Sequence, residues 1–133
     1  MGCPATHSFL PPRPAQAIHK DPDNKMKSVF TVEKASEDLI SSLKVKSWPT
    51  WSTEGSAKYK VGEVSPLKVY DTNELSYVIS GKMQIIPEET GKPVLVQAGD
   101  FVTFPDGFPC RWHVLEELEK HWFYYDSMGM PDV

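Results

Sequence analysis

The sequence predicts an all-β barrel or sandwich with one short helix near its start, on three observations. Segments rich in β-branched and aromatic residues recur at close spacing from Leu67 onward. Glycine- and proline-bearing turns separate them. Only Ser36–Leu43 has helical spacing, so the strand–helix alternation of an α/β layer fold is missing.

The elements follow in chain order. Pro4, Pro11, Pro12, Pro14 and Pro22 place five of the chain's 12 prolines before Lys25, in a stretch with neither helical nor strand periodicity. Proline fixes φ and removes a backbone donor, so residues 1–27 read as an extended or disordered arm. Val29–Val32 reads as a strand. Ser36–Leu43 reads as a helix: Ser36 caps it, Glu37 and Asp38 sit at its positive end, and Leu39, Ile40 and Leu43 form its apolar stripe. Trp48–Trp51 opens the strand-rich half. Strands are expected at Leu67–Tyr70, Leu75–Ile79, Met83–Ile86, Val94–Val96, Phe101–Phe104, Arg111–Leu115 and His121–Tyr125. Ser80-Gly81 reads as a tight hairpin and Glu88–Lys92 as a wider one. Gly99-Asp100 and Pro105-Asp106-Gly107 are turn chemistry. Glu116–Lys120 reads as a solvated turn. The barrel is thus expected over 28–126, with a flexible tail over 127–133.

At 133 residues the chain suits one domain. Fourteen Lys and Arg against 18 Asp and Glu give a net charge of −4, which offers no electrostatic drive toward nucleic acid. No apolar run approaches the roughly 20 residues of a transmembrane helix. Cys3 and Cys110 are the only cysteines and do not make a disulfide scaffold. Zinc, P-loop and dinucleotide-binding motifs are absent. Met1-Gly2-Cys3-Pro4-Ala5-Thr6 fits a myristoylation template with Cys3 placed for a second acyl chain, which two-chain anchoring would require. The expected location is the cytoplasm, with organelle import or lipid anchoring through Gly2 and Cys3 as the alternatives.

The spacing of the barrel residues resembles the cupins. Gly62, Lys68, Tyr70, Glu74 and Gly81 match the first conserved stretch of that family in register; Gly99, Pro105, Gly107 and Cys110 match the second. Ser47–Trp51, Tyr70–Glu74, Ala98–Pro105, Cys110-Arg111-Trp112 and Lys120-His121 look like the small single-domain members grouped with the (S)-ureidoglycine aminohydrolase cupin domain. The resemblance covers about Val29 to Tyr125. It implies a cupin-type double-stranded β-helix, a jelly-roll barrel. It makes Glu74 the carboxylate ligand and Gly81 a hairpin residue, and it sets Lys68, Tyr70 and Cys110 where the family usually places histidines.

Those departures shape the functional expectation. A typical metallocupin holds its metal with three His and one Glu, and only Glu74 remains here. No metal and no other cofactor are therefore expected; if a metal bound, its ligands would be Glu74, Cys110 and His121. His113 lies at odd parity to Cys110 and is expected at the surface. Lys68 and Tyr70 share one strand face, as do Cys110 and Trp112. The resemblance implies that Glu74 and Cys110 turn inward, lining a small-molecule pocket with Lys68, Tyr70 and Trp112; His121 either joins them or points out.

Two functional readings stay open. In one, Lys68, Glu74 and Cys110 catalyse metal-independent hydrolysis or isomerisation of a small polar nitrogen-containing metabolite, with Tyr70, Trp112 and His121 binding it. In the other, the barrel is a non-catalytic ligand-binding or assembly subunit, and its aromatic residues serve a larger protein complex. Each residue also has a plain structural role available: a buried Cys110, a snorkelling Lys68, core packing by Tyr70 and Trp112. A homodimer is expected by analogy with the fold.

Overall fold

The structure is a computed structural model that describes residues 18–20 and 26–125. The acylation pattern at Gly2 and Cys3, most of the N-terminal arm and the tail over 127–133 lie outside the described residues. Within the stretch read as an arm, β1 (Ile18–Lys20) pairs antiparallel with β2 (Met26–Ser28).

The main sheet opens with β3 (Thr31–Lys34). Helix α1 follows at Glu37–Ser42, with the Ser36 hydroxyl accepting the Leu39 N–H at 3.0 Å, so the cap and the apolar stripe read from sequence are both present. After a 3-10 turn at Val45–Ser47 come β4 (Thr50–Ser52) and β5 (Lys68–Val69). Two long strands dominate: β6 (Glu74–Pro87) and, after β7 (Val94–Gln97) and β8 (Asp100–Phe104), β9 (Pro109–Tyr124).

The pairing makes a jelly roll from one bent ribbon. β6 and β9 run antiparallel along their whole length, from Glu74↔Tyr124 to Pro87↔Cys110. The first half of β6 pairs with β8, which in turn pairs with β3. Its second half pairs with β7. β9 carries β4 near one end and β5 near the other.

Two sequence expectations are corrected here. Ser80-Gly81 does not close a hairpin: β6 runs straight through it, and the ladder to β9 shifts register at Val78/Ser80, Ser80/Lys82 and Lys82/Met83. Gly81 adopts φ +92°, and a Cβ there would overlap the Glu117 carbonyl oxygen and sit 2.5 Å from Leu118 Cα. A bulge that bends a strand needs the same backbone freedom as a tight turn, so the glycine alone does not distinguish them. Likewise Glu116–Lys120 is not a turn. It lies inside β9; Glu116 and Glu117 are exposed at the bend, while Leu118 and Lys120 are buried.

Side-chain alternation along the bent ribbon builds two cores. Val78, Met83, Ile85, Val102, Phe104 and Trp112 face inward between the two halves of the ribbon. Leu75 and Phe101 face outward and pack against Leu39, Ile40 and Leu43 of α1, with Trp48 donating its indole N–H to the Leu43 carbonyl at 3.1 Å. β8 is buried at every residue because both of its faces are covered. The inner core stops short of one end of the barrel, where a pocket opens.

Candidate functional site

The pocket has a volume of about 230 Å³. That is below the roughly 300–1,000 Å³ typical of sites for drug-sized ligands, so it suits a small metabolite. β4, β5, β6 and β9 each supply its wall. β9 contributes Trp112, Lys120, Trp122 and Tyr124, β4 contributes Trp51, and Tyr59 comes from the loop between β4 and β5. Lys68, Tyr70 and Glu74 complete it.

Lys120 and Glu74 form its polar centre. Lys120 Nζ donates to Glu74 Oε2 at 2.8 Å and to Ser76 Oγ at 3.1 Å, and Ser76 Oγ donates to the same Glu74 oxygen at 2.9 Å. Lys120 is only 4% exposed. Its ammonium is also boxed by rings, 5.0 Å from the Trp112 centroid, 5.4 Å from Phe104 and 5.8 Å from Trp51. A buried ammonium is tolerated when its charge is paired and its remaining faces meet aromatic quadrupoles. Both partners bond Oε2, which leaves Glu74 Oε1 without a protein hydrogen bond among the described residues.

Lys68 differs from Lys120. Among the described residues it forms no ion pair; its Nζ lies 4.5 Å over the Tyr70 ring. Tyr70 is 3% exposed and stacks on Phe104 with centroids 4.4 Å apart. Burial, with Glu74 second, holds its phenol well above the usual range, and its hydroxyl has no hydrogen-bond partner. The buried Trp112 N–H is also unpartnered by geometry, yet lies close enough to the Tyr70 hydroxyl and the Cys110 thiol to ease the ionisation of each. Burial likewise raises the Tyr59 phenol, with smaller contributions from Cys110 and Glu74.

The structure therefore brings Lys68, Tyr70, Glu74 and Trp112 to one pocket and leaves out two of the residues considered with them. Cys110 is fully buried in the inner core rather than in the pocket wall. Burial pushes its thiol up to about 11, against the pull of Lys68, so at neutral pH it is a packed thiol and not a thiolate nucleophile. His121 faces the other side of β9, where its Nδ1 lies 3.0 Å from the Trp48 carbonyl and its ring stacks on Tyr77. His113 pairs with Gln84 across the ribbon, Nδ1 to Oε1 at 3.1 Å.

Sequence reasoning missed Lys120, Tyr59, Trp122 and Tyr124. The signal for three of them is parity: carried unbroken from Cys110 through Trp112 along β9, alternation puts residues 118, 120, 122 and 124 on the same face. Taking 116–120 as a turn broke that count.

The fold implies a metal at this place, and the donor set does not suit one. The described residues contain no group of three His, Cys, Asp or Glu side chains placed to hold an ion. Glu74 has an ammonium as its partner, and the side chains at the family's other ligand positions are a lysine, a buried phenol and a buried thiol. No helix of the described residues is long and apolar enough to cross a membrane.

The family model described as the EutQ-like cupin domain matches residues 40–122. The chain is similar to a DUF861 family protein from Thermotoga maritima, with 35% identity over 73% of this chain and 100% of that one, at a TM-score of 0.62. A DUF861 family protein from Pseudomonas syringae is 21% identical over 84% of this chain and 41% of that one, at a TM-score of 0.46. The EutQ protein of Clostridium difficile is 21% identical over 50% of this chain and 51% of that one, at a TM-score of 0.43. Only the first is close enough to speak for the fold. No curated protein matches the chain.

Proposed function

The chain belongs to the EutQ-like cupin domain family, and from that premise we propose that it binds a small polar nitrogen-containing metabolite and hydrolyses or isomerises it without a metal. The observation that carries this reading is Glu74 itself. Lys120 and Ser76 fix one of its oxygens, the other has no hydrogen bond among the described residues, and the Lys68 ammonium, which forms no ion pair among them, lines the same small pocket. The similarity to the (S)-ureidoglycine aminohydrolase cupin-domain group supplies the nitrogen in the proposal.

In the hydrolytic form, Glu74 Oε1 accepts a proton from water as the water oxygen attacks a carbonyl carbon. Lys68 keeps all its ammonium protons: one faces the developing oxyanion, and the others remain free for a second acceptor on the same substrate. Glu74 then returns its proton to the departing nitrogen as the C–N bond breaks. General acid–base catalysis of this kind contributes roughly 10²- to 10⁴-fold. Lys120 is a positioning residue for Glu74, and Cys110 has no part in the step. In the isomerising form, Glu74 removes and returns a proton on carbon. A homodimer belongs to the same reading as a fold-level analogy, tested by light scattering of the full chain.

The test is to incubate EDTA-treated protein with N-carbamoylglycine and asparagine in D₂O, following ammonia release and deuterium incorporation at carbon. The expected result is turnover by either route that Glu74→Gln reduces at least 100-fold (roughly the low end of the catalytic contribution above). Turnover that persists in Glu74→Gln, or that requires added metal, overturns the proposal. Binding with no turnover across a wider panel of amides and ureido acids favours the non-catalytic reading instead.

A further inference from the structure

We propose that the ligand carries a carboxylate on a flat body, with Lys68 as the carboxylate's counter-ion. This rests on the small-molecule reading of the same pocket and adds the charge and shape of what enters it.

The charge follows from the residues that line the cavity. They include two ammoniums, Lys68 and Lys120, and one carboxylate, Glu74. Glu74 is already neutralised by Lys120 at 2.8 Å. Lys68 has no carboxylate within ion-pair distance among the described residues, so the pocket carries one uncompensated positive charge. A ligand anion that pairs with it forms a charge-assisted contact in a partly desolvated site.

An aromatic-lined pocket would ordinarily suit a cation, which rings attract through their faces. Here that position is filled from within the protein. The Lys120 ammonium lies 5.0 Å from Trp112 and 5.8 Å from Trp51, the distances at which a ligand ammonium would sit in an aromatic cage. A second cation would meet Lys120 and Lys68 together.

The wall beside Lys68 also holds buried donors. Among the described residues the Tyr70 hydroxyl and the Trp112 N–H meet no acceptor at hydrogen-bonding geometry, and an unmet buried donor costs on the order of 1–3 kcal/mol. Both belong to residues that line the pocket, and Lys68 sits on the Tyr70 ring. Among the described residues no arginine lines the cavity. A single ammonium is a point charge suited to a monoanion, whereas planar bidentate forks favour doubly charged phosphate. Flatness follows from the composition of the walls: Trp51, Tyr59, Trp122 and Tyr124 are all among the lining side chains, and aromatic rings favour planar partners.

The test uses three probes of one shape and different charge, namely benzoate, benzamide and benzamidine, titrated against the full-length chain. Trp51, Trp112 and Trp122 line the pocket, so tryptophan fluorescence reports occupancy directly. Benzoate is expected to bind about tenfold or more tightly than benzamide, which is the scale of a gained charge-assisted contact. Benzamidine is expected to be the weakest. Lys68→Met should cost benzoate about tenfold more than it costs benzamide and so remove the preference between them, and Lys68→Arg should restore the preference. Benzamide or benzamidine binding as tightly as benzoate, or a folded Lys68→Met variant that keeps the benzoate preference, overturns the inference while the pocket reading stands. If none of the three changes the fluorescence at millimolar concentration, both readings fall together.

Discussion

Lys120 Nζ and Glu74 Oε2 are 2.8 Å apart on neighbouring strands, with side chains only 6% and 15% exposed. The pair closes the inner core beneath the pocket, and Ser76 completes its hydrogen bonding from the same face of β6. Removing one partner strands the other charge in a place water barely reaches.

Single truncation should therefore cost far more than joint replacement. Glu74→Leu or Lys120→Met is expected to destabilise the fold by about 3–5 kcal/mol, and the double variant Glu74→Leu, Lys120→Met to recover much of that loss. Urea unfolding of the four proteins forms a double-mutant cycle. Additive losses would show that the two charges do not depend on each other.

Gly81→Ala should be the most damaging glycine substitution among the described residues. The site combines φ +92° with a Cβ position overlapping the Glu117 carbonyl of β9, and neither a side chain nor a free loop can yield there. Strain and overlap together should exceed about 3 kcal/mol. At Gly107, with φ +82° and open space around the missing Cβ, alanine should cost about 1 kcal/mol. Thermal unfolding of the two variants makes the comparison.

The Cys110 thiol gives the fold a pH dependence at the alkaline end. Its pKa is raised from 9.0 to about 11 in the folded protein, so above pH 9 the unfolded chain loses this proton while the folded one keeps it. Stability from this group is fully present below pH 9 and is lost as the pH rises through 11, by about 2–3 kcal/mol. Cys110→Ala should reduce the difference in stability measured by urea between pH 8.5 and 11, the raised phenols of Tyr70 and Tyr59 carrying the rest. The same burial predicts that a thiol reagent at pH 8 labels Cys110 only after unfolding.

Tyr70→Phe tests the cost of a buried hydroxyl without an acceptor. Removing it deletes an unmet donor and keeps the stack on Phe104, so stability should stay within about 1 kcal/mol of the wild type or rise. A loss of several kcal/mol would mean that the hydroxyl is paired in solution.

Some of this was legible in local sequence because the physics is local. Ser36 caps α1 with its own side chain, and the apolar stripe of α1 follows from helical spacing alone. Phe101–Phe104 reads as a strand and lies within one. The resemblance to the cupins implies a pocket with Lys68, Tyr70 and Glu74 in its wall, and all three line one.

What the sequence by itself determined was the class of fold and the helix, since capping, periodicity and turn chemistry depend on residues close in the chain; the inward place of Glu74 came only with the family resemblance. Tertiary structure alone decided whether Gly81 closes a hairpin or bends a strand, because that depends on β9 lying alongside it. It also turned the apparent charged turn at 116–120 into a continuous strand, and so made Lys120 a buried partner of a carboxylate 46 residues away. A lysine next to three acids in sequence looks solvated; only the pairing of β6 with β9 supplies the carboxylate, the hydroxyl and the rings that allow it to be buried.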